Sequence, residues 1–468
     1  MKKELSIALL ALVLAVFVIR GGSFEKKHPL TFDEIVYPNL AVQLTQAPPT
    51  YNTIAIYNDS VKKGRPLPDY FKKPLFKHPP MFPWLISVVY SVTSRSDFVS
   101  AFRVSLVSGV LLVVLAYYLA RTLFDDKTAV YAALLMSIEP ITWISSQKIW
   151  METTLAFFSV LSLYLFAMYV KRDKWFFIIA SGIAAGCATL TKYPGILVTG
   201  AIVIYALLAE RRLFKDKFFI VSLFMPVLML VPWLTWNFSV YGSEFLGGSK
   251  EIAHLVRVAN RTMAPHAWLM GIVAVVGAIV WFLRGRIKTI FSDGKIKMIS
   301  SWAVVSAVIA GLLFLVYVQV LNAFNIGHVP TSGWTIGMFA GEAWYFYPGR
   351  LIELSPYYIF SFLAITLFVL DPGKTKDYTL LYLFVLITLG FYMLWGNYQS
   401  RYITAVTAPL MILSARFQLD MYERARKAAP EKYRNAIGVF LMLIAAYFAA
   451  KTVRVDYLLA IPNSICYF

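Results

Sequence analysis

Long apolar blocks alternate along this chain with short, charge-bearing stretches. A helix that crosses a bilayer needs about 17–25 predominantly apolar residues. Blocks of this kind are predicted at approximately 104–120, 129–145, 153–170, 175–191, 194–209, 218–236, 267–283, 298–320, 356–370, 379–395, 402–415 and 436–450. The opening MKKELSIALLALVLAVFVIR adds one more. Its apolar run from Leu5 to Ile19 is long for a signal peptide, and Arg20-Gly21-Gly22 is a poor small-x-small cleavage site, so it reads as a retained first helix. The expectation is an all-α integral membrane protein with about 13 transmembrane helices.

Two stretches break the pattern. Residues 21–79 are polar and rich in Pro, Lys, Tyr and Asn, yet inside them TFDEIVYPNLAVQL sets Val36, Leu40 and Leu44 at helical spacing, with Pro38 near the helix start. Residues 81–93 are apolar but too short to span, and Pro79, Pro80 and Pro83 crowd their start. They read as an interfacial helix lying along the outer surface. The chain is then one polytopic unit, 1–468, whose larger outer segments are 21–98, 237–266 and 321–355, without a separate soluble domain.

Charge tests this layout. Setting aside the N-terminus and the long loop up to Arg103, 22 Lys and Arg residues fall in the predicted inner loops and 9 in the outer ones. Basic residues favour short cytoplasmic loops. A spanning 81–93 would invert the bias. The sequons at Asn58, Asn237 and Asn260 all fall outside, a weaker sign of the same orientation. Composition agrees: 59% of residues are hydrophobic, 15% are charged, and the mean hydropathy is +0.65. That excludes a soluble globular enzyme, a disordered chain and a fibrous repeat. The net charge of +19 is accounted for by cytoplasmic loops facing anionic lipid, and no nucleic-acid partner is implied. The two cysteines, Cys187 and Cys466, have neither metal-site nor disulfide spacing.

Chemistry is expected where the outer segments converge, because ionisable groups near lipid are expensive to keep. Asp33 and Glu34 open the TFDEIVYPNLAVQL stretch, where two acids at the start of an interfacial helix are held at a fixed depth; helix capping is the plainer reading of both. Lys77-His78-Pro79-Pro80 aims a basic pair at the interface, suited to a phosphate head group or simply to snorkelling. Glu152 opens a span and Lys192 sits in a tight outer turn. Arg401 begins RYITAVTAPL, and Glu139, before Pro140, is expected to snorkel outward. Taken singly, each is more often structural than catalytic. His28, His254, His266 and His328 have no metal-ligand spacing, and no nucleophile-elbow, P-loop or zinc-protease signature occurs.

Taken in order, these pieces resemble the GT-C class of membrane glycosyltransferases, closest to the protein O-mannosyltransferase and lipid A aminoarabinose transferase branch. The resemblance rests on Asp33-Glu34, on Lys77-His78-Pro79-Pro80-Met81, on Arg103 leading into a span, and on Pro140 with Ser146-Gln147 and Glu152. GIAAGCATLTKYPG and Arg401-Tyr402 before Pro409 complete it. Relatives usually carry Asp where this chain has Glu152. The C-terminal soluble domain of oligosaccharyltransferases is not seen, which argues against en bloc glycan transfer.

The resemblance implies an inverting transferase that moves a sugar from a polyprenyl- or dolichyl-phosphate donor to a protein, glycolipid or glycan acceptor on the extracytoplasmic face. It implies Asp33 and Glu34 as the catalytic carboxylates, with Asp33 taking the proton of the acceptor hydroxyl. His78, Lys77 and Arg401 would bind the donor phosphate, and Glu152, Lys192, Arg103, Gln147 and Tyr402 would support the site. A metal requirement stays open: cationic side chains alone can serve a monophosphate donor, and Asp33, Glu34 and Glu152 have the oxygen ligands to share a divalent metal. A transporter or flippase for the same lipid-linked sugar is the rival reading. It fits less well, because the spans carry almost no charge, the candidates gather at one face, and no half-to-half symmetry is visible. A relative that binds polyprenyl phosphate without catalysis is the third.

Overall fold

A computed structural model of the chain describes residues 3–21, 30–46, 50–57, 72–242, 346–370, 378–395 and 399–459. The expected spans at 267–283 and 298–320, most of the outer segments 237–266 and 321–355, Cys466, Asn58, Asn260, His28, His254, His266 and His328 lie outside the described residues. Two compact units are distinguished: Met1–Glu251 with Leu351–Gly390 and Gln399–Phe468, and Ile252–Arg350 with Phe391–Tyr398. Every contact discussed below is within the first. Among the described residues the structure is helical and contains no strand.

In chain order the helices are α1 (Lys3–Gly21), α2 (Phe32–Leu44), α3 (Met81–Thr93), α4 (Phe98–Leu123), α5 (Asp126–Ser137), α6 (Pro140–Ser146), α7 (Glu152–Arg172), α8 (Trp175–Thr191), α9 (Leu197–Ala209) and α10 (Lys217–Tyr241). After a gap come α11 (Phe346–Leu354), α12 (Tyr357–Leu370), α13 (Thr379–Trp395), α14 (Thr404–Ala428) and α15 (Arg434–Leu459). Five described segments are long and apolar enough to cross a bilayer: α4, α7, α10, α14 with the turn before it, and α15. The protein is a multi-pass membrane protein.

Among the described residues the expected count of 13 spans is not confirmed, and several junctions differ from the expected blocks. The block at 129–145 is not one helix. α5 and α6 meet at a 58° bend, counting as a sixth, broken span. Pro140 causes the break: it has no N–H to donate, and the residue before a proline is pushed out of the α region. Glu139 accordingly sits at ψ 121°. α8 and α9 have 17 and 13 residues, because a 3₁₀ turn at Tyr193–Ile196 parts them. The 81–93 segment is a separate 13-residue helix, too short to span. One face of it buries Phe82, Ile86 and Tyr90 while Trp84, Val88 and Val92 stay exposed. Pro38 lies inside α2 and not near its start, since that helix already begins at Phe32.

The core of the bundle is α7, which packs against α4, α8 and α14; α8 in turn packs against α10. Small residues let these helices approach. Gly182 and Gly186 form a G-x-x-x-G face on α8. A Cβ on Gly182 would lie 2.5 Å from the Ser222 carbonyl oxygen of α10. Hydroxyls join the helices where lipid offers no other partner. Ser108 meets Thr154 at 2.9 Å, Ser162 meets Ser181 at 3.1 Å, and Thr142 meets Thr407 at 2.8 Å.

The direction of travel sorts the charges. α4, α7 and α14 run toward Arg121, toward Lys171 and Arg172, and toward Arg426 and Lys427. Their other ends carry Asp97, Glu152 and Arg401. α8 starts beside Lys174 and returns to Lys192. One end of the bundle is therefore a basic belt, in which Asp125, Asp126 and Asp420 pair with Arg416 and Arg121, and the other holds Asp33, Glu152, Lys192 and Arg401.

Candidate active site

The site forms at the end away from the basic belt, where α2, the loop before α7, the C-terminus of α8 and the turn before α14 meet. Asp33 occupies the first turn of α2. Its Oδ2 pairs with Nη2 of Arg401 at 2.7 Å, with 25% and 12% of the two side chains exposed. Arg401 is held from other sides too. Its Nε donates to Gln399 Oε1 at 2.7 Å, the Glu152 carboxylate is 3.9 Å away, and its guanidinium carbon lies 4.4 Å from the centre of the Trp150 ring. Lys192 Nζ donates to the same Glu152 oxygen at 3.0 Å and sits 4.0 Å from the Tyr402 ring centre. Two carboxylates and two cations thus interlock through Glu152, which is almost wholly buried. Its Oε2 accepts no hydrogen bond.

Glu34, expected beside Asp33 as a second catalytic carboxylate, is bonded away from Arg401. It is fully buried. Oε2 accepts from Thr31 N and from Thr31 Oγ1, both at 2.9 Å, in the reciprocal pattern of a capping box. Oε1 accepts from the Ile149 backbone N–H at 3.2 Å. Trp150 Nε1 donates to Thr31 Oγ1 at 3.3 Å, closing the same joint from the other side. Glu34 therefore fastens the start of α2 to the loop that carries Trp150 and Glu152. With both oxygens so used, it does not turn toward Asp33 and Glu152 to share a metal ion. Among the described residues no three His, Cys, Asp or Glu side chains converge as metal ligands.

His78 stands one turn along α2 from Asp33, with Nδ1 3.5 Å from the Tyr37 hydroxyl and the two rings edge to face. Its carbonyl accepts from the Tyr51 hydroxyl at 2.9 Å. Burial pushes the imidazole down to about 4, with Lys77 and Lys192 adding to the effect and Asp33 opposing it. His78 is then neutral at pH 7, a hydrogen-bond donor and not the cation expected from sequence. For Asp33, burial favours the protonated form, but Arg401, with His78 and Lys192, outweighs it and holds the carboxyl below its usual range.

The remaining predicted residues divide. Tyr402 and Lys192 are in the cluster. Gln147 is nearby in sequence, at the C-cap of α6, where it bonds Ser146 and leaves Oε1 unpartnered. Lys77 is exposed and touches the site only through its effect on His78. Arg103 points to the exposed face of α4, where the charge it influences is Asp97. Glu139 does not snorkel: it is buried and caps α6 through Ile141 N and Thr142 N, and it accepts the Tyr358 hydroxyl. Asn237 is no accessible sequon, since it lies in the last turns of α10 with its side chain buried. Trp150 and Gln399, which carry Arg401, were not singled out from sequence. The one available signal for Trp150 was an aromatic residue two positions ahead of Glu152.

Residues 77–236, about a third of the chain, match the sequence family described as dolichyl-phosphate-mannose-protein mannosyltransferase. The match takes in His78, Glu152 and Lys192 and leaves out Asp33 and Arg401. An uncharacterized protein of Aquifex aeolicus (strain VF5) is 32% identical over 210 residues, 42% of this chain and 42% of that one. The archaeal oligosaccharyltransferase AglB from Archaeoglobus fulgidus, in complex with an inhibitory peptide and a dolichol-phosphate, superposes with a TM-score of 0.61 at 17% identity over 98% of this chain and 56% of that chain. A structure of the same enzyme tethered to an acceptor peptide with the NVT sequon gives a TM-score of 0.59 at 18% identity, over 99% and 56%. The chain therefore spans about half the length of these proteins. The fold is that of the GT-C membrane glycosyltransferases.

Proposed function

We propose that this protein is a glycosyltransferase that moves one sugar from a polyprenyl- or dolichyl-phosphate donor to an acceptor hydroxyl on the extracytoplasmic side of the membrane. The observation that carries the reading is the interlocked set Asp33, Arg401, Glu152 and Lys192 at the end of the bundle opposite the basic belt. Basic ends favour the cytoplasm, so the positive-inside rule supports an extracytoplasmic site. The GT-C fold and the partial match to mannosyltransferases support the donor class.

Asp33 accepts the proton of the acceptor hydroxyl as its oxygen bonds to the anomeric carbon. The bond from that carbon to the phosphate oxygen breaks on the opposite face, and its electron pair leaves with the polyprenyl phosphate. General-base help of this kind contributes about 10²–10⁴-fold. The leaving group is already a phosphate, so it needs positive charge and hydrogen bonds and no acid. Arg401 supplies a planar fork, Lys192 a second charge, and neutral His78 an N–H. Attack from the face opposite the phosphate inverts the anomeric centre.

One feature favours a transporter: the broken span at Glu139, since transporters build binding sites from discontinuous helices. The Glu139 oxygens, however, are occupied by Ile141 N, Thr142 N and the Tyr358 hydroxyl, so the break is capped within the chain. The test is turnover. Purified protein in liposomes, given polyprenyl-phosphate sugars labelled in the sugar together with a membrane-protein and glycolipid extract, should transfer label to the extract. Asp33→Asn should lower the rate at least about 10²-fold. Movement of label across the bilayer without transfer would favour the transporter.

A further inference from the structure

The Asp33–Arg401 pair is at odds with the work just assigned to each partner. A carboxylate bonded at 2.7 Å to a guanidinium has its charge already satisfied and is a poor proton acceptor. A guanidinium bonded to a carboxylate has part of its fork occupied and is a poor phosphate ligand. Both residues do their work only if the pair opens, and the surroundings show which half stays.

Arg401 is fixed without Asp33. Gln399 holds its Nε at 2.7 Å, the Trp150 ring lies under its guanidinium carbon at 4.4 Å, and Glu152 stands 3.9 Å off. Trp150 is itself tied down, through Nε1 to Thr31 Oγ1 and through its carbonyl to Ser105 Oγ at 3.0 Å. Asp33, by contrast, is the more exposed partner, and Arg401 is its one salt-bridge partner among the described residues. An incoming anion thus meets a cation that stays in place and a carboxylate that can yield.

Resting on the reading above, we propose that the donor's phosphate exchanges places with Asp33 on Arg401, so that the base is freed only when the lipid-linked phosphate is seated. The phosphate oxygens take the Nη2 position now held by Asp33 Oδ2. The displaced carboxylate, no longer bonded to the guanidinium and with a second negative charge close by, gains proton affinity at the moment an acceptor hydroxyl must be deprotonated. After transfer, the proton rests on Asp33 and the phosphate on Arg401. Departure of the polyprenyl phosphate restores the pair and discharges the proton to water. The other charged or titratable groups near Asp33 are His78 and Lys192, which lower its proton affinity, and Tyr37 and Glu152, which share its field. His78 gains proton affinity beside a phosphate too, so any proton uptake has to be separated between the two.

The distinguishing consequence is that removing the base should tighten binding of the ligand. With polyprenyl monophosphate as probe, Asp33→Asn should bind more tightly than the unaltered protein, by about fivefold or more. Arg401→Ala should bind more weakly than either. Equal or weaker binding by a folded Asp33→Asn, alongside weak binding by Arg401→Ala, would overturn the exchange and leave the glycosyltransferase reading standing. Failure of the unaltered protein to bind the probe would overturn both. Should Asp33→Asn not fold, proton uptake decides. Calorimetric titration of His78→Gln with a polyprenyl methyl phosphate diester, which has no proton of its own titrating near pH 6, in two buffers of different ionisation enthalpy should show protons taken up on binding near pH 5–6, and their absence would overturn the exchange.

Discussion

Glu34 sits next to Asp33 in sequence, but successive residues on a helix point about 100° apart, and the two side chains part company at once. Asp33 faces Arg401, whereas Glu34 turns back to Thr31 and across to Ile149. Glu34→Gln should therefore cost about 1.5–3 kcal/mol in stability, the range for hydrogen bonds to a charged group. Thermal unfolding in detergent measures it. Normal stability with turnover lowered about 10²-fold would return Glu34 to the chemistry.

His78 gives a second test, with a definite sign. Its folded proton affinity, about 4, lies below the unfolded value of about 6.5. The unfolded chain binds the extra proton between those values, so stability contributed by His78 is complete above about pH 6.5 and falls as pH drops toward about 4. Asp33, also depressed, loses its contribution only at still lower pH, as it is protonated. The melting temperature should fall between about pH 6.5 and about pH 4, and His78→Gln should flatten that part of the curve. The sequence made the location of Asp33, His78 and Arg401 legible, because charges in apolar chains stand out. It hid the charge state of His78 and the role of Glu34, since both depend on Tyr37, Thr31 and Ile149, and nothing in residue type announces those contacts.

At the scale of elements, hydrophobic runs found the helices well and their junctions poorly. The block 175–191 coincides with α8 and 379–395 with α13, while 129–145 conceals a 58° bend. Apolar length reports transfer into lipid, which Pro140 hardly alters. Backbone hydrogen bonding, which Pro140 does alter, leaves no mark in a hydropathy sum. Packing hides similarly. Gly182 and Gly200 both sit in apolar helices, yet a Cβ on Gly182 would meet the Ser222 backbone at 2.5 Å, and one on Gly200 would meet nothing within 4 Å. Gly182→Ala should therefore destabilise by about 1–3 kcal/mol through overpacking of α8 on α10. Gly200→Ala should be neutral or stabilising by up to about 1 kcal/mol, since it only improves helix propensity. Melting temperatures of the two variants in the same detergent compare them directly; equal losses would mean that the α8–α10 contact does not limit stability.

Across the whole molecule, the orientation of the bundle decides whether the site can use a donor that presents its sugar outside the cytoplasm. The positive-inside rule favours that. The loop charges are asymmetric, and the helix directions collect Arg121, Lys171, Arg172, Lys174, Arg426 and Lys427 at the end away from Asp33 and Arg401. Moving polybasic ends across a membrane is disfavoured, and anionic lipid on the cytoplasmic face holds them there. Single cysteines test the orientation in a background with Cys187 and Cys466 replaced. Lys174→Cys marks the basic end, where its side chain is exposed; Ser96→Cys marks the exposed turn between α3 and α4, at the site end. In intact cells a membrane-impermeant maleimide should label position 96 and spare position 174 until the membrane is opened. The reverse pattern would put Asp33, Arg401 and Glu152 in the cytoplasm. The cluster would keep its geometry there, but the donor would have to be one whose sugar faces inward, and the extracytoplasmic part of the proposed function would fall while the Asp33–Arg401 exchange could still be measured.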